Sequence, residues 1–124
     1  MGTGRSVKFR VKGSYRKGIS LADATASVRL SSSYEYSMHE LSLDLRGRMH
    51  LQVQWPGYRP LNYEIPVTGY DGMVNMSSFA RRLSRAIGHF CQACNRISIP
   101  WDRIILQRLD ETQLGVWAPT IATI

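Results

Sequence analysis

One short run could bind a metal or exchange thiols: His89, Cys91 and Cys94 spell H-x-C-x-x-C. A structural zinc site needs four ligands, usually from two spaced pairs. The other imidazoles, His39 and His50, fall in different elements. Thioredoxin-type pairs open a helix after a strand, whereas this pair falls at a helix end. The zinc deaminase signature fails too, because there is no H-x-E and no proline before the cysteine pair. Helical spacing aligns Cys94 with Phe79, Leu83, Ile87 and Phe90, so packing is the favoured role for the thiols. The sequence also lacks a nucleophile elbow, a Walker loop, a dinucleotide-binding glycine pattern and a paired-carboxylate motif. The expectation is no catalytic site, no metal, no cofactor and no enzyme.

The remaining chemistry is that of surfaces. The opening residues MGTGRS fit M-G-x-x-x-[ST], which makes Gly2 the candidate acylation site, with Ser6 at the hydroxyl position. One acyl chain holds a membrane only marginally and needs a second signal. Arg5, Lys8, Arg10, Lys12, Arg16 and Lys17 can supply it, at about 1 kcal/mol per basic residue beside an anionic leaflet. These six are the candidate membrane- or polyanion-binding residues. Arg81, Arg82 and Arg85 are the candidate ribonucleoprotein or partner contacts. Over the whole 124-residue chain the net charge is +7, and a small domain this basic is drawn to nucleic acid, anionic lipid or an acidic protein. Thirteen of the sixteen basic residues are arginine, the side chain suited to bidentate phosphate and carboxylate contacts. Tyr15, Tyr34, Tyr36, Tyr58, Tyr63, Tyr70 and Trp55 are candidates for stacking on bases.

The elements that would position these residues follow from hydropathy periods. Val7, Phe9 and Val11 alternate with Lys8, Arg10 and Lys12, which predicts a half-buried strand over residues 7–12 with a basic outer face. Ser20 and Asp23 are placed to cap a short helix carrying Leu21, Ala24 and Val28. Alternation over residues 41–55, with Gly47 in the middle, predicts a hairpin turning at Arg46-Gly47 or one long strand bent there. Leu61, Tyr63, Ile65 and Val67 predict another strand, placed at an edge or ending at Pro66. The best helix runs from Ser77 and Ser78 to Cys94, with Phe79, Leu83, Ile87 and Phe90 inward. Two closing strands are expected to turn at Asp110-Glu111-Thr112. The apolar fraction of 44% fits a globular chain. The whole, residues 1–124, reads as a single basic α+β domain with a mainly antiparallel sheet and two helices. Residues 1–18 lack the apolar core of a secretory signal, and no stretch is apolar enough to span a bilayer.

Residues 7–11 with "SLADATASV" from Ser20, and "SFARRLSRAIGHF" from Ser78 with "LGVWAPTIA" from Leu114, resemble the two ends of the globular domain of rhabdovirus-type matrix proteins. The "YRPL" of residues 58–61 has the YxxL form of a budding tetrapeptide, while PPxY is absent. The resemblance implies a viral matrix-type structural protein that bridges the inner membrane leaflet and a ribonucleoprotein and self-associates during assembly. It would be found in the virion, the host cytoplasm and the inner face of host membranes. The rival expectation is a small soluble RNA- or ssDNA-binding protein, such as a viral silencing suppressor.

Overall fold

A computed structural model describes residues 3–93 and 98–124, so Gly2 and Cys94 lie outside the described residues. In chain order the elements are β1 (Ser6–Lys8), β2 (Ile19–Ser20), α1 (Leu21–Thr25), a 3₁₀ turn at Met38–Leu41, β3 (Arg48–Val53) and β4 (Leu61–Pro66). Then come β5 (Gly69–Tyr70), β6 (Met73–Val74), α2 (Met76–Ala93), a second 3₁₀ turn at Trp101–Arg103, β7 (Ile104–Gln113) and β8 (Val116–Thr123). The main sheet runs β1-β7-β8-β3-β4, with β2 also pairing β7. All its pairings are antiparallel except β3 with β8. The fold is α+β with two α-helices and an antiparallel-dominated sheet, as the patterning predicts.

Helix α2 forms where its period predicts. Phe79, Leu83, Ile87 and Phe90 are almost completely buried and share one core with Met49, Leu51, Val53, Leu106 and Trp117. Phe79 meets Phe9 at 6.1 Å between ring centroids. In β3 the alternation also holds: Met49, Leu51 and Val53 are buried while Arg48, His50 and Gln52 are half-exposed. Strand β4 ends at Pro66 on the sheet's edge, where a missing N–H costs no ladder bond. Ser20 caps α1 by accepting from the Asp23 N–H. That helix stops after Thr25, sooner than its apolar spacing suggests, because Ser27 turns the chain at φ 57°.

Three expectations are corrected. Residues 7–12 are not one strand: β1 ends at Lys8, and Arg10 and Val11 make only isolated bridges, to Gly18 and Leu30. Residues 41–45 are not a strand either. Ser37 and Glu40 form a reciprocal cap that starts the 3₁₀ turn, and the Leu41 carbonyl accepts the buried indole N–H of Trp117 at 3.0 Å. Leu45 consequently stands fully exposed. The final hairpin turns at Leu114-Gly115, so Asp110 and Glu111 lie within β7. On α2 Cys91 is also buried, one turn beyond Ile87, while the expectation for Cys94 falls outside the described residues.

Candidate functional site: a basic pocket at a β-bulge

The pocket begins with a fault in β7. Leu106 pairs with Ile121 and Arg108 with Thr120, so Gln107 is an extra residue on β7, the arrangement of a β-bulge. On the other edge of β7, β1 pairs with residues 108–110 and β2 with residues 105–106. The chain therefore leaves the sheet after Lys8, loops through residues 9–18 and rejoins beyond the bulge. Gly18 donates its N–H to Phe9 O at 2.8 Å and closes that loop. It sits at φ +87°, and a Cβ there would lie 2.5 Å from Leu106 O, so only glycine lets the two backbones approach this closely. Lys12 N–H to Arg29 O and Ser31 N–H to Arg10 O tie the loop to residues 29–31.

This detour brings together groups that are scattered in sequence. Lys8, Arg10, Lys17 and Arg108 line a pocket of about 90 Å³, with Phe9, Gln107 and Tyr34 completing the wall and no carboxylate in the lining. The Arg10 guanidinium carbon stands 5.6 Å from the Tyr34 ring centroid, within cation–π range. Its Nε is buried and has no acceptor among the described residues. An unsatisfied buried donor costs about 1–3 kcal/mol. Arg108 donates through Nε to Asp110 at 2.9 Å. For Asp110, desolvation pushes the carboxyl pKa up, but hydrogen bonds from Ser6, Arg108 and Thr120 and the charge of Arg108 outweigh it, and the net shift is downward. Asp110 thus stays ionised and tethers Arg108 at the rim.

Of the six predicted basic residues at the start of the chain, three converge here: Lys8, Arg10 and Lys17. Arg5 instead donates to Ser42 Oγ and lies 3.9 Å from Glu111. Arg16 lines a separate cleft with Asp23 and Asp102. Lys12 is exposed in the turn that follows Val11. Gly2 lies outside the described residues. Arg108 was missed, because its neighbour on the pocket wall is set by strand pairing across almost the whole chain. The loop between β1 and β2 carries one further feature: Tyr15 is 99% exposed among Lys12, Arg16 and Lys17.

The arginines of α2 make separate contacts. Arg81 donates to Ser27 Oγ, toward the end of α1, whereas Arg82 donates to Pro66 O at the end of β4. Arg85 is exposed. His89 pairs its Nδ1 with the Tyr63 hydroxyl at 2.8 Å, and Cys91 is buried in the core. Asp44, His50 and Glu64 place their ligand atoms within 4.8 Å of one another. Glu64, however, accepts from both Arg46 and Arg48 at 3.1 Å, so two guanidinium groups already supply the positive charge that a cation would bring. Asp44 accepts backbone N–H bonds from Arg48 and Arg46 and contacts His50 at 2.9 Å. The Arg48 bond is the largest influence on its pKa, which lies below the ordinary carboxylate value.

The chain belongs to the family described as Domain of unknown function (DUF6741), whose model matches residues 1–123. No curated protein and no solved structure matches it.

Proposed function

We propose that this chain is a viral matrix-type structural protein, a non-enzymatic adaptor between an anionic membrane surface and a ribonucleoprotein. The observation that carries this reading is the loop of residues 12–17, in which Lys12, Arg16 and Lys17 are all exposed and a fully exposed Tyr15 stands between them in the chain. Amphipathic aromatic rings favour the headgroup level of a bilayer, and each basic residue near an anionic leaflet contributes about 1 kcal/mol. An acyl chain on Gly2 would add the second anchor such proteins need. Self-association would use the apolar turn tips Leu45 and Leu114, both exposed.

The tyrosines weigh against the rival reading of a single-strand binder. Tyr34 is covered by Arg10, the Tyr36 hydroxyl accepts from Lys8 N–H, and Tyr63 is paired with His89. Tyr58 packs against the core. Tyr15 and Tyr70 alone among the tyrosines are freely exposed, which makes a poor platform for successive bases. Ribonucleoprotein contact would then run through phosphates.

The test is flotation of the full chain on phosphatidylcholine vesicles containing phosphatidylserine. The triple variant K12E/Y15S/R16E should lose binding while its circular dichroism stays native, since none of the three residues is in the core. Undiminished flotation of the folded variant refutes the reading.

A further inference from the structure

The geometry points to the pocket between Lys8, Arg10, Lys17 and Arg108 as a binding site for a phosphate monoester, presented either by a phosphoinositide headgroup or as a soluble phosphate. This deepens the polyanion-binding reading, on which it rests.

Charge comes first. Four cationic side chains share a lining that holds no carboxylate. Arg108 is paired with Asp110 at the rim, which leaves Lys8, Arg10 and Lys17 without an ion pair among the described residues. A phosphate monoester carries about −1.5 to −2 at neutral pH, so it gains more from this excess of positive charge than a singly charged diester does. That sets it apart from both the nucleic-acid backbone and phosphatidylserine. Geometry comes second. Arg10 presents a planar fork matched to phosphate oxygens, and its buried Nε–H has no acceptor among the described residues. The Tyr34 ring stands 5.6 Å from the guanidinium carbon, close enough for a cation–π contact. Arg108 spends its Nε–H on Asp110 and keeps its terminal nitrogens for a ligand. Scaffold comes third. Lys8 is on β1, Arg108 is on β7, and Arg10 is held by its bridge to Gly18, so these donors are ordered before any ligand arrives. The volume, about 90 Å³, takes a compact group rather than a run of stacked bases.

The experiment is isothermal titration of the full chain with inositol trisphosphate and, separately, with inorganic phosphate. Flotation on phosphatidylcholine vesicles doped with phosphatidylinositol monophosphate, or with phosphatidylserine at matched charge, accompanies it. At least one soluble probe should bind, and R10M and K17Q should each weaken it about ten- to a hundredfold, the loss of one charge-assisted bond. K12Q, outside the pocket, should leave affinity within about twofold, as a screened surface charge would. Lys17 is exposed, so K17Q keeps the test readable if R10M fails to fold. Preference for the inositide vesicles over the charge-matched ones, with displacement by inositol trisphosphate, identifies the lipid source. Binding of inorganic phosphate with no vesicle preference identifies the soluble one. The inference is overturned if neither soluble probe binds, or if K12Q weakens binding as much as K17Q. It is equally overturned if an RNA oligonucleotide without a terminal phosphate displaces the probe at equal charge. Failure of both soluble probes, with phosphatidylserine flotation intact and sensitive to K12E/Y15S/R16E, sinks the pocket alone. The converse pattern sinks the membrane reading alone.

Discussion

Glu111 is the least expected residue in the core, and its replacement tests how the start of the chain is held. Its side chain is completely buried. It accepts from the Thr3 hydroxyl and from the Gly115 N–H at 2.9 Å, with Arg5 Nε at 3.9 Å. Backbone bonds from Thr3 N–H to Glu111 O and from Glu111 N–H to Arg5 O run beside these contacts, so the carboxylate anchors residues 3–5 and the last turn to β7. Hydrogen bonds to a charged group contribute about 1.5–3 kcal/mol each. Thr3 is exposed and Ser42, which also bonds the carboxylate, is half-exposed, so both can bond water instead, and Glu111→Ala should cost less than the full set of bonds, about 2–4 kcal/mol. Glu111→Gln keeps an acceptor for Gly115 but loses the charge, and should cost about 1–2 kcal/mol at neutral pH.

The pH dependence of Glu111 follows from its surroundings. Desolvation raises its pKa, but the bonds from Thr3, Gly115 and Ser42 and the charge of Arg5 outweigh this, so the folded-state value lies below the ordinary one. A carboxyl with a depressed folded pKa contributes stability above its unfolded value, about 4.3, and that contribution disappears as pH falls through the folded value. Urea unfolding measured from neutral pH down into the acid range should therefore give a shallower acid slope for Glu111→Gln than for the parent, with the two curves converging at low pH. An unchanged slope, or a Gln variant as stable as the parent at neutral pH, would refute the reasoning.

Two further outcomes follow from packing. Phe90→Ala should cost about 3–5 kcal/mol, since Phe90 is 0% exposed, whereas Arg81→Ala should stay within about 0.5 kcal/mol. Chemical denaturation of both variants checks the order, and a reversal would mean that the wrong face of α2 has been assigned to the core. Gly18→Ala puts a Cβ 2.5 Å from Leu106 O and 2.8 Å from Gln107 Cα at φ +87°. Backbone atoms in a paired strand cannot step aside, so a loss of about 2–4 kcal/mol is expected. A variant as stable as the parent in the same denaturation assay would show that the loop of residues 9–18 does not need this close approach.

What the sequence determined by itself was whatever depends on neighbours a few residues apart. The four-residue rhythm of Phe79, Leu83 and Ile87 identifies α2 and its buried face. The two-residue rhythm of Met49, Leu51 and Val53 identifies β3. Ser20 marks the start of α1, and Pro66 the end of an edge strand. The basic character of residues 5–17, and its pull toward polyanions, is equally plain in the residues. The tertiary structure decided which of those charges meet. Lys8, Arg10 and Lys17 gather around Arg108 because β1 and β2 pair with β7 on either side of the Gln107 bulge, while Arg5 and Arg16 go elsewhere. The 3₁₀ turn at Met38–Leu41 gives the Trp117 indole its acceptor, where local alternation had predicted a strand. Glu111 is buried because it answers donors from the start of the chain and from the last turn. Periodicity reports only which face of an element is apolar. The register between strands distant in the chain is set when their surfaces are packed and their polar groups paired, and both the pocket and the buried carboxylate are products of that register.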